Sequence, residues 1–484
     1  MILKKDIDAI RAYLEDSSNI GNGHADYLAI PEDIGELSRF IGEANEKRTP
    51  VTISGGGTGT TGSRIPFGGA ILSMERLNKI IDISRNHSSA LVETGVLVDA
   101  LKDAADKEGL FYTSHPTEKT ASVGGTISTN ASGARSFKYG STRKYVKRLS
   151  MVLANGRILD IRRGERFLTK DDCDVVLPGG LKVRVPVSIY GMPEVKNSAG
   201  YFLKDGMDLI DLFIGQEGTL SVITGAELGL VKKPHKILSA FVFFARAADA
   251  WEFSREARNA SALSIEYFDE NCVGLLRSKV DGVPSGAKAA IFFEQETSEE
   301  NEAAILDGWL ALIAKYGVSL DDTWVAMNEK EAGRFLELRH YIPEAMNDMI
   351  RKSGYRKIST DMAVPAARFD DMMKFYIDDL ASAGIKYYIF GHIGECHLHV
   401  NLLPASAAEA TKAIEICAGF AEKASSLGGT VSAEHGIGKL KHRYLEIMFG
   451  KAVVMEMARL KKSIDQNCIL GLGNIFPREL LGMV

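Results

Sequence analysis

The chain has 484 residues, 45% of them hydrophobic and 25% charged, with a formal net charge of −5. At a prior of roughly 150 residues per domain this is more than one ordinary core, and the composition is that of a folded, not a disordered, chain. The acidic balance and the lack of a basic cluster exclude a nucleic-acid-binding role.

The N-terminal stretch, MILKKDIDAIRAYLED, is charged and patterned as a helix, without the apolar core of a signal peptide. To about Arg48 the pattern predicts helices around one short strand, Tyr27–Ile30. From Val51 to Leu230 short β-rich runs alternate with glycine-rich turns: 51–54, 70–73, 90–93, 151–153 and 220–223. The longest apolar run, 237–245 with one serine inside, is about nine residues against the roughly 20 of a membrane span, and reads as a buried strand. Strands are expected at 241–244 and 291–294, and helices at 247–262 and 298–316 from apolar spacings of three and four. A further helix, Ala407–Ser426, is stopped by Gly428-Gly429. The composition shifts after Lys232-Lys233-Pro234, so the halves are drawn as 1–235 and 236–484. The second half reads as an α+β cap of antiparallel strands with helices on one face.

Five cysteines, Cys173, Cys272, Cys396, Cys417 and Cys468, are scattered, and none lies in a CxxC pair. A disulfide framework or a cluster held by this chain alone is disfavoured, and a reducing, cytoplasmic setting fits best. Peripheral attachment to the inner membrane face and a homodimer are both compatible with this.

Glycine clusters carry the first chemical signal. Ser54-Gly55-Gly56-Gly57-Thr58-Gly59-Thr60-Thr61-Gly62 follows a strand, and its glycines free the backbone to turn N–H groups toward an anion such as a pyrophosphate. From Gly57 it formally matches GxGxxG, but Pro66 and Gly68-Gly69 follow, so no helix opens there. No GK[ST] follows either. A nicotinamide Rossmann site and an ATP P-loop are both disfavoured. A second cluster, Ser122-Val123-Gly124-Gly125 through Ser128 to Gly133, lies after His115-Pro116-Thr117, and a third, Gly215-Gln216-Glu217-Gly218-Thr219-Leu220, leads to Ile223. Separated small-residue loops suit a long ligand.

Histidine carries the second signal. Four of the ten histidines fall in two motifs, Gly391-His392-Ile393-Gly394-Glu395-Cys396-His397-Leu398-His399 and Ser432-Ala433-Glu434-His435-Gly436-Ile437-Gly438. Imidazoles with a carboxylate suit a divalent metal, acid–base work, or both. His397 and His399 share a face of one strand. His392 and His399 lie on opposite faces unless the chain bends, which Gly394 permits. A hydroxy acid would also need a cation, and Arg339, on an expected helix, and Lys357 are candidates.

The three glycine loops in this order, with Met192 to Tyr201 and Asp211 to Leu220, resemble the FAD-linked oxidases with a vanillyl-alcohol oxidase-type (PCMH) FAD domain. The resemblance is closest to the branch of D-lactate dehydrogenase, glycolate oxidase subunits and D-2-hydroxyglutarate dehydrogenase. It implies an α+β fold: a PCMH-type FAD domain of two α+β subdomains, an antiparallel cap, and a C-terminal segment returning to the FAD domain. It implies non-covalent FAD touched by Gly55, Gly56, Gly57, Thr58, Gly59, Thr60, Thr61, Pro116, Thr117, Ser122, Gly124, Gly125, Ser128, Gly133, Glu217, Gly218, Ile223 and Asn474. It also implies a divalent metal (zinc, manganese or iron) on His392, His399 and Glu434, with His435 as catalytic base and Arg339, Lys357 and His397 facing substrate. The commonest motif of that branch is GHxGDGNLH; here Glu395, Cys396 and His397 replace Asp, Gly and Asn. His397 could therefore compete as a ligand. The HLHVNLLP wording resembles the D-lactate branch, so oxidation of D-lactate to pyruvate is the leading activity. Alternatives are D-2-hydroxyglutarate or glycolate oxidation, or non-redox chemistry like that of alkylglycerone-phosphate synthase. The electron acceptor would be an electron-transferring flavoprotein, an iron–sulfur subunit, a quinone or a cytochrome.

Overall fold

The structure, a computed structural model, describes residues 1–114, 118 and 120–484. Pro116 and Thr117, expected beside the flavin, lie outside the described residues. The fold is α+β, as expected. The first sheet contains β1 (Ile2–Lys4), β2 (Tyr27–Ile30), β3 (Val51–Ser54) and β4 (Ala70–Ser73), in the order β1-β2-β4-β3. The N-terminus departs from its helical expectation. Leu3 pairs with Ala29 across an antiparallel edge, so residues 2–4 are extended and the helix there is only Ile7–Ile10. Helix α1 (Ile34–Glu46) starts at Asp33, whose carboxylate accepts the Glu36 N–H. It buries Leu37, Ile41 and Ala44, one apolar stripe, against this sheet.

The second sheet is antiparallel: β5 (Ile80–Ser84), β6 (Ser89–Glu93), β7 (Val146–Leu153), β8 (Ile158–Arg162) and β9 (Ser221–Gly229), in the order β5-β6-β9-β7-β8. Leu72, Val152 and Val222 share one core, so the two sheets pack together. Residues 469–471 run beside β3: the Val51 N–H donates to the Ile469 carbonyl, and the Gly471 N–H to that of Val51.

The third sheet is larger and antiparallel. It contains β10 (Lys236–Phe244), β11 (Ser264–Phe268), β12 (Ala289–Thr297), β13 (Thr323–Val325), β14 (Ile358–Ser359), β15 (Lys386–Gly391) and β16 (His397–Leu403). Their order is β13-β10-β12-β11-β15-β16-β14. Helices cover both of its faces, not one. Phe241 and Phe243 pack with Val273 and Leu276 of α3 (Glu270–Lys279) and with Leu338 and Ile342 of α5 (Glu329–Ser353). Ala240, Val242 and Phe244 point the other way, to Phe253 of α2 (Ala247–Ala257) and Trp309 of α4 (Glu302–Lys315). The reason is compositional: β10 is apolar at odd and even positions alike, and such a strand is stable only when covered on both sides. Among the described residues no helix is long and apolar enough to cross a membrane.

Phe241 is fully buried, with ring centroids of Phe292 at 4.9 Å and Phe335 at 5.5 Å. Phe241→Ala is expected to cost about 3–5 kcal/mol, read as a lowered urea midpoint by tryptophan fluorescence; an unchanged midpoint would contradict this packing.

Candidate active site

The glycine loops meet one another and then meet the second half. A Cβ on Gly55 would lie 2.5 Å from Ser122 Oγ, and one on Gly56 would lie 2.0 Å from the Thr120 carbonyl, so backbone is pressed directly on backbone there. A Cβ on Gly124 would lie 2.8 Å from Thr94 Cβ, and Thr94 Oγ1 donates to the Ile223 carbonyl. Ser122 accepts the Gly125 N–H, the Ser128 carbonyl accepts the Glu217 N–H, the Gly133 carbonyl accepts from Ser136 Oγ, and Gly218 abuts Ile53. Asn474 Nδ2 donates to the carbonyls of Glu217 and Ser63. Thr61 is buried, whereas Gly59 and Thr60 are exposed, Thr58 is partly so, and a Cβ on Gly59 would meet open space.

Glu217 connects these loops to the Glu434–Gly438 turn. Its carboxylate is buried and accepts the N–H groups of Ile437 and Gly438, both at 2.7 Å, and Ser63 Oγ at 2.8 Å. Neither glycine of the turn has room for a side chain: Gly436 has φ +75° and faces Glu217, while Gly438 has φ +54° and lies on the Thr61 carbonyl.

The first histidine motif is a hairpin. β15 and β16 pair so that Phe390 opposes His399, and a tight turn (Ile393–Glu395) joins them. That turn is the bend that brings His392 and His399 together, with ring centroids 5.8 Å apart. His392 Nε2, His399 Nε2 and His435 Nε2 lie 3.4, 3.3 and 3.5 Å from one atom, Glu434 Oε1. Each ring is backed at Nδ1: His392 by Glu266 at 2.6 Å, His399 by the Thr360 carbonyl at 3.0 Å, and His435 by Asp361 at 3.4 Å. His392 and His399 are nearly buried, whereas 34% of the His435 side chain is exposed.

Three charged groups here were not legible in the sequence. Lys196 is nearly buried and reaches Glu434 Oε2 at 2.9 Å, Glu395 Oε2 at 3.1 Å and Ser136 Oγ at 3.0 Å. Glu266 lies within the otherwise apolar β11 and takes both His392 and Arg339. Asp361 receives Lys441 Nζ at 2.7 Å, Ser432 Oγ at 2.7 Å and the His435 N–H at 2.9 Å. A carboxylate within an apolar strand was the one available signal, at Glu266. Of the two expected substrate cations, Arg339 is spent on Glu266 through Nε and one terminal nitrogen. Lys357 has no ion-pair partner among the described residues. It lies four residues before Asp361, a spacing that puts both on one face of an extended segment.

Burial opposes every charge in this cluster, and the partners decide the outcome. For Glu434 burial is outweighed by Lys196 and then His392, which hold it well below the usual carboxylate range. Asp361 is likewise held low, by His435 and Lys441. For His392 burial is outweighed by Glu266 and Glu434, which raise it to about 9. For His435 burial wins and pushes it down to about 4. Burial alone lowers Lys357.

The donor set fits a divalent ion. Bonds of 2.0–2.1 Å in a tetrahedron put neighbouring donors about 3.3–3.4 Å apart, close to the nitrogen–oxygen spacings above. Ligand atoms of His392, His397, His399 and Glu434 lie within 4.8 Å of one another, as do those of Asp361, His399 and His435. Four carboxylates (Glu266, Asp361, Glu395, Glu434) face three cations (Lys196, Arg339, Lys441). His392, raised as above, carries a proton that offsets the remaining formal negative charge, and a cation displacing that proton would meet one negative charge.

Comparison with known proteins places this architecture. Residues 25–162 match the FAD binding domain family, and residues 233–475 match the C-terminal domain of FAD-linked oxidases. The chain belongs to the FAD-linked oxidases and is an FAD-dependent oxidoreductase. It is 30% identical to the glycolate oxidase subunit GlcD of Bacillus subtilis, over 94% of this chain and 89% of that one. It is 30% identical to a D-lactate dehydrogenase of Archaeoglobus fulgidus (92% and 90%), and 26% identical to a D-2-hydroxyglutarate dehydrogenase of Xanthomonas citri pv. viticola (93% and 89%). Its fold is shared with alkyldihydroxyacetonephosphate synthase, with a TM-score of 0.67 at 16% identity, covering 98% of this chain and 83% of that one. The same holds for 4-ethylphenol oxidase from Gulosibacter chungangensis, at 0.68 and 16%, covering 99% and 95%.

Gly438→Ala forces a Cβ to 2.2 Å from the Thr61 carbonyl at a positive φ. The expected result is loss of most bound flavin from the purified protein, read as the ratio of flavin to protein absorbance; wild-type occupancy would show that the turn does not seat the loop.

Proposed function

We propose that the protein oxidises a D-2-hydroxy acid, D-lactate to pyruvate foremost, at the cluster around Glu434. The observation that carries this is the convergence of three imidazole Nε2 atoms on one carboxylate oxygen, beside the loops of the FAD domain. Bound against the glycine loops, FAD would supply the hydride acceptor for C2, and a divalent ion (zinc, manganese or iron) held by His392, His399 and Glu434 would supply Lewis acidity toward the substrate oxygens.

His435 takes the hydroxyl proton. It is neutral at physiological pH because burial holds it near 4. Asp361 beside Nδ1 favours the tautomer with its proton there, which leaves the Nε2 lone pair facing the cluster. His435 is also the most exposed of the three converging rings, so a ligand can reach it. Glu266 and the Thr360 carbonyl fix the rings of His392 and His399 in the same way.

Lys357, partly buried and without an acid partner among the described residues, receives the substrate carboxylate. One unpaired ammonium favours a monocarboxylate over a dicarboxylate, and the D-lactate dehydrogenase among the relatives supports the same choice. Turnover also requires an electron acceptor: an electron-transferring flavoprotein, an iron–sulfur subunit, a quinone or a cytochrome.

Anaerobic mixing with D-lactate is expected to bleach the flavin, and L-lactate is expected to leave it oxidised. His435→Asn should keep FAD and slow bleaching by about 10²–10⁴-fold. Bleaching at the wild-type rate in that variant would overturn the assignment of the base. A depressed histidine stays neutral until pH falls to its lowered value. The reduction rate should therefore show no acid limb near 6.5 and should fall only toward pH 4; a limb at 6.5 would contradict a base held neutral by its surroundings.

A further inference from the structure

We infer that His397 is a fourth protein ligand of the divalent cation, together with His392, His399 and Glu434. This rests on the metal reading above and goes beyond it, since that reading gives the ion three ligands; with a fourth, substrate oxygens would enter a five- or six-coordinate shell. His397 and His399 are two apart on β16 and point to the same side, with ring centroids 4.5 Å apart; His392 is 5.3 Å away. Ligand atoms of all four residues fall within 4.8 Å of one another.

The second observation is independent of spacing. His397 is completely buried, and neither ring nitrogen has a hydrogen-bond partner. A buried histidine retained for packing would be expected to hold at least one partner. Its Nε2 lies 3.0 Å from Asp361 Oδ1 without the geometry of a hydrogen bond, while Lys441, Ser432 and the His435 N–H all engage the other oxygen, Oδ2.

Full burial also weighs against a direct substrate contact, the other role open to this residue. A substrate must arrive from solvent, and His435 offers it an exposed edge while His397 offers none. The His-Leu-His wording, with histidine where the commoner motif has asparagine, then has a chemical reason: it adds an imidazole to the shell.

The test uses FAD-loaded protein stripped by chelator and titrated anaerobically with Co²⁺, followed by visible difference spectra. Wild type should bind one equivalent. His397→Asn should bind about 10-fold or more weakly, with a changed ligand-field spectrum, while its flavin spectrum and thermal midpoint stay near wild type. His397→Cys should give a new thiolate-to-cobalt charge-transfer band, which arises only if position 397 is within bonding distance of the ion. Wild-type affinity in a folded His397→Asn protein, together with no charge-transfer band in His397→Cys, would overturn the inference. Failure of the wild type to bind Co²⁺, Zn²⁺ or Mn²⁺ at all would instead overturn the underlying metal reading.

Discussion

A single buried carboxylate organises this molecule. Glu434 is almost out of solvent, and a buried charge is tolerated only when it is paired on several sides. Its partners come from both halves of the chain: Lys196 and Ser132 from one, His392 and His399 from the other. Removing one partner of such a pair generally costs about 3–5 kcal/mol, because the other charge stays buried. The two halves are therefore fixed to each other at the point where chemistry is expected. Glu395 extends the same logic, since its carboxylate reaches the Lys196 ammonium and Ser136 across that junction.

Glu217 does for the flavin loops what Glu434 does for the imidazoles. It holds φ +52°, a left-handed conformation that costs a non-glycine residue of the order of 1–3 kcal/mol. The carboxylate so placed collects two backbone N–H groups from the turn that carries His435. The glycine loop, the Glu217 segment and the Glu434–Gly438 turn thus form one packed unit. On the proposed assignment, the same hydrogen bonds would keep the proton-accepting His435 in register with the flavin loops.

Local signals made part of this legible. Tyr27–Ile30, Val51–Ser54, Ala70–Ser73 and Ala407–Ser426 were readable to the residue, because apolar runs end there in glycine, proline or charge. The cap strands are longer than their apolar centres, since Lys236 to Ser239 and Gln295 to Thr297 are carried into the ladder by pairing. Residues 2–4 looked helical and are a strand, because the partner that extends them lies some 26 residues away. The apolar run of β10 was visible, yet its two covered faces were not inferred from it. The four motif histidines stood out by concentration alone. Lys196, Glu266 and Asp361 did not, because each acquires its meaning from a contact that crosses 70 to 240 residues of chain.

Glu434 is proposed to assemble a cation site from the hairpin histidines beside the FAD domain. Anomalous diffraction from crystals of the zinc-loaded, FAD-bound protein is the sharpest test. One strong peak is expected within bonding distance of His392, His399 and Glu434, with Lys196 still on the second oxygen of Glu434. Zinc found elsewhere, or no peak with the imidazoles directly hydrogen-bonded to Glu434, would contradict it.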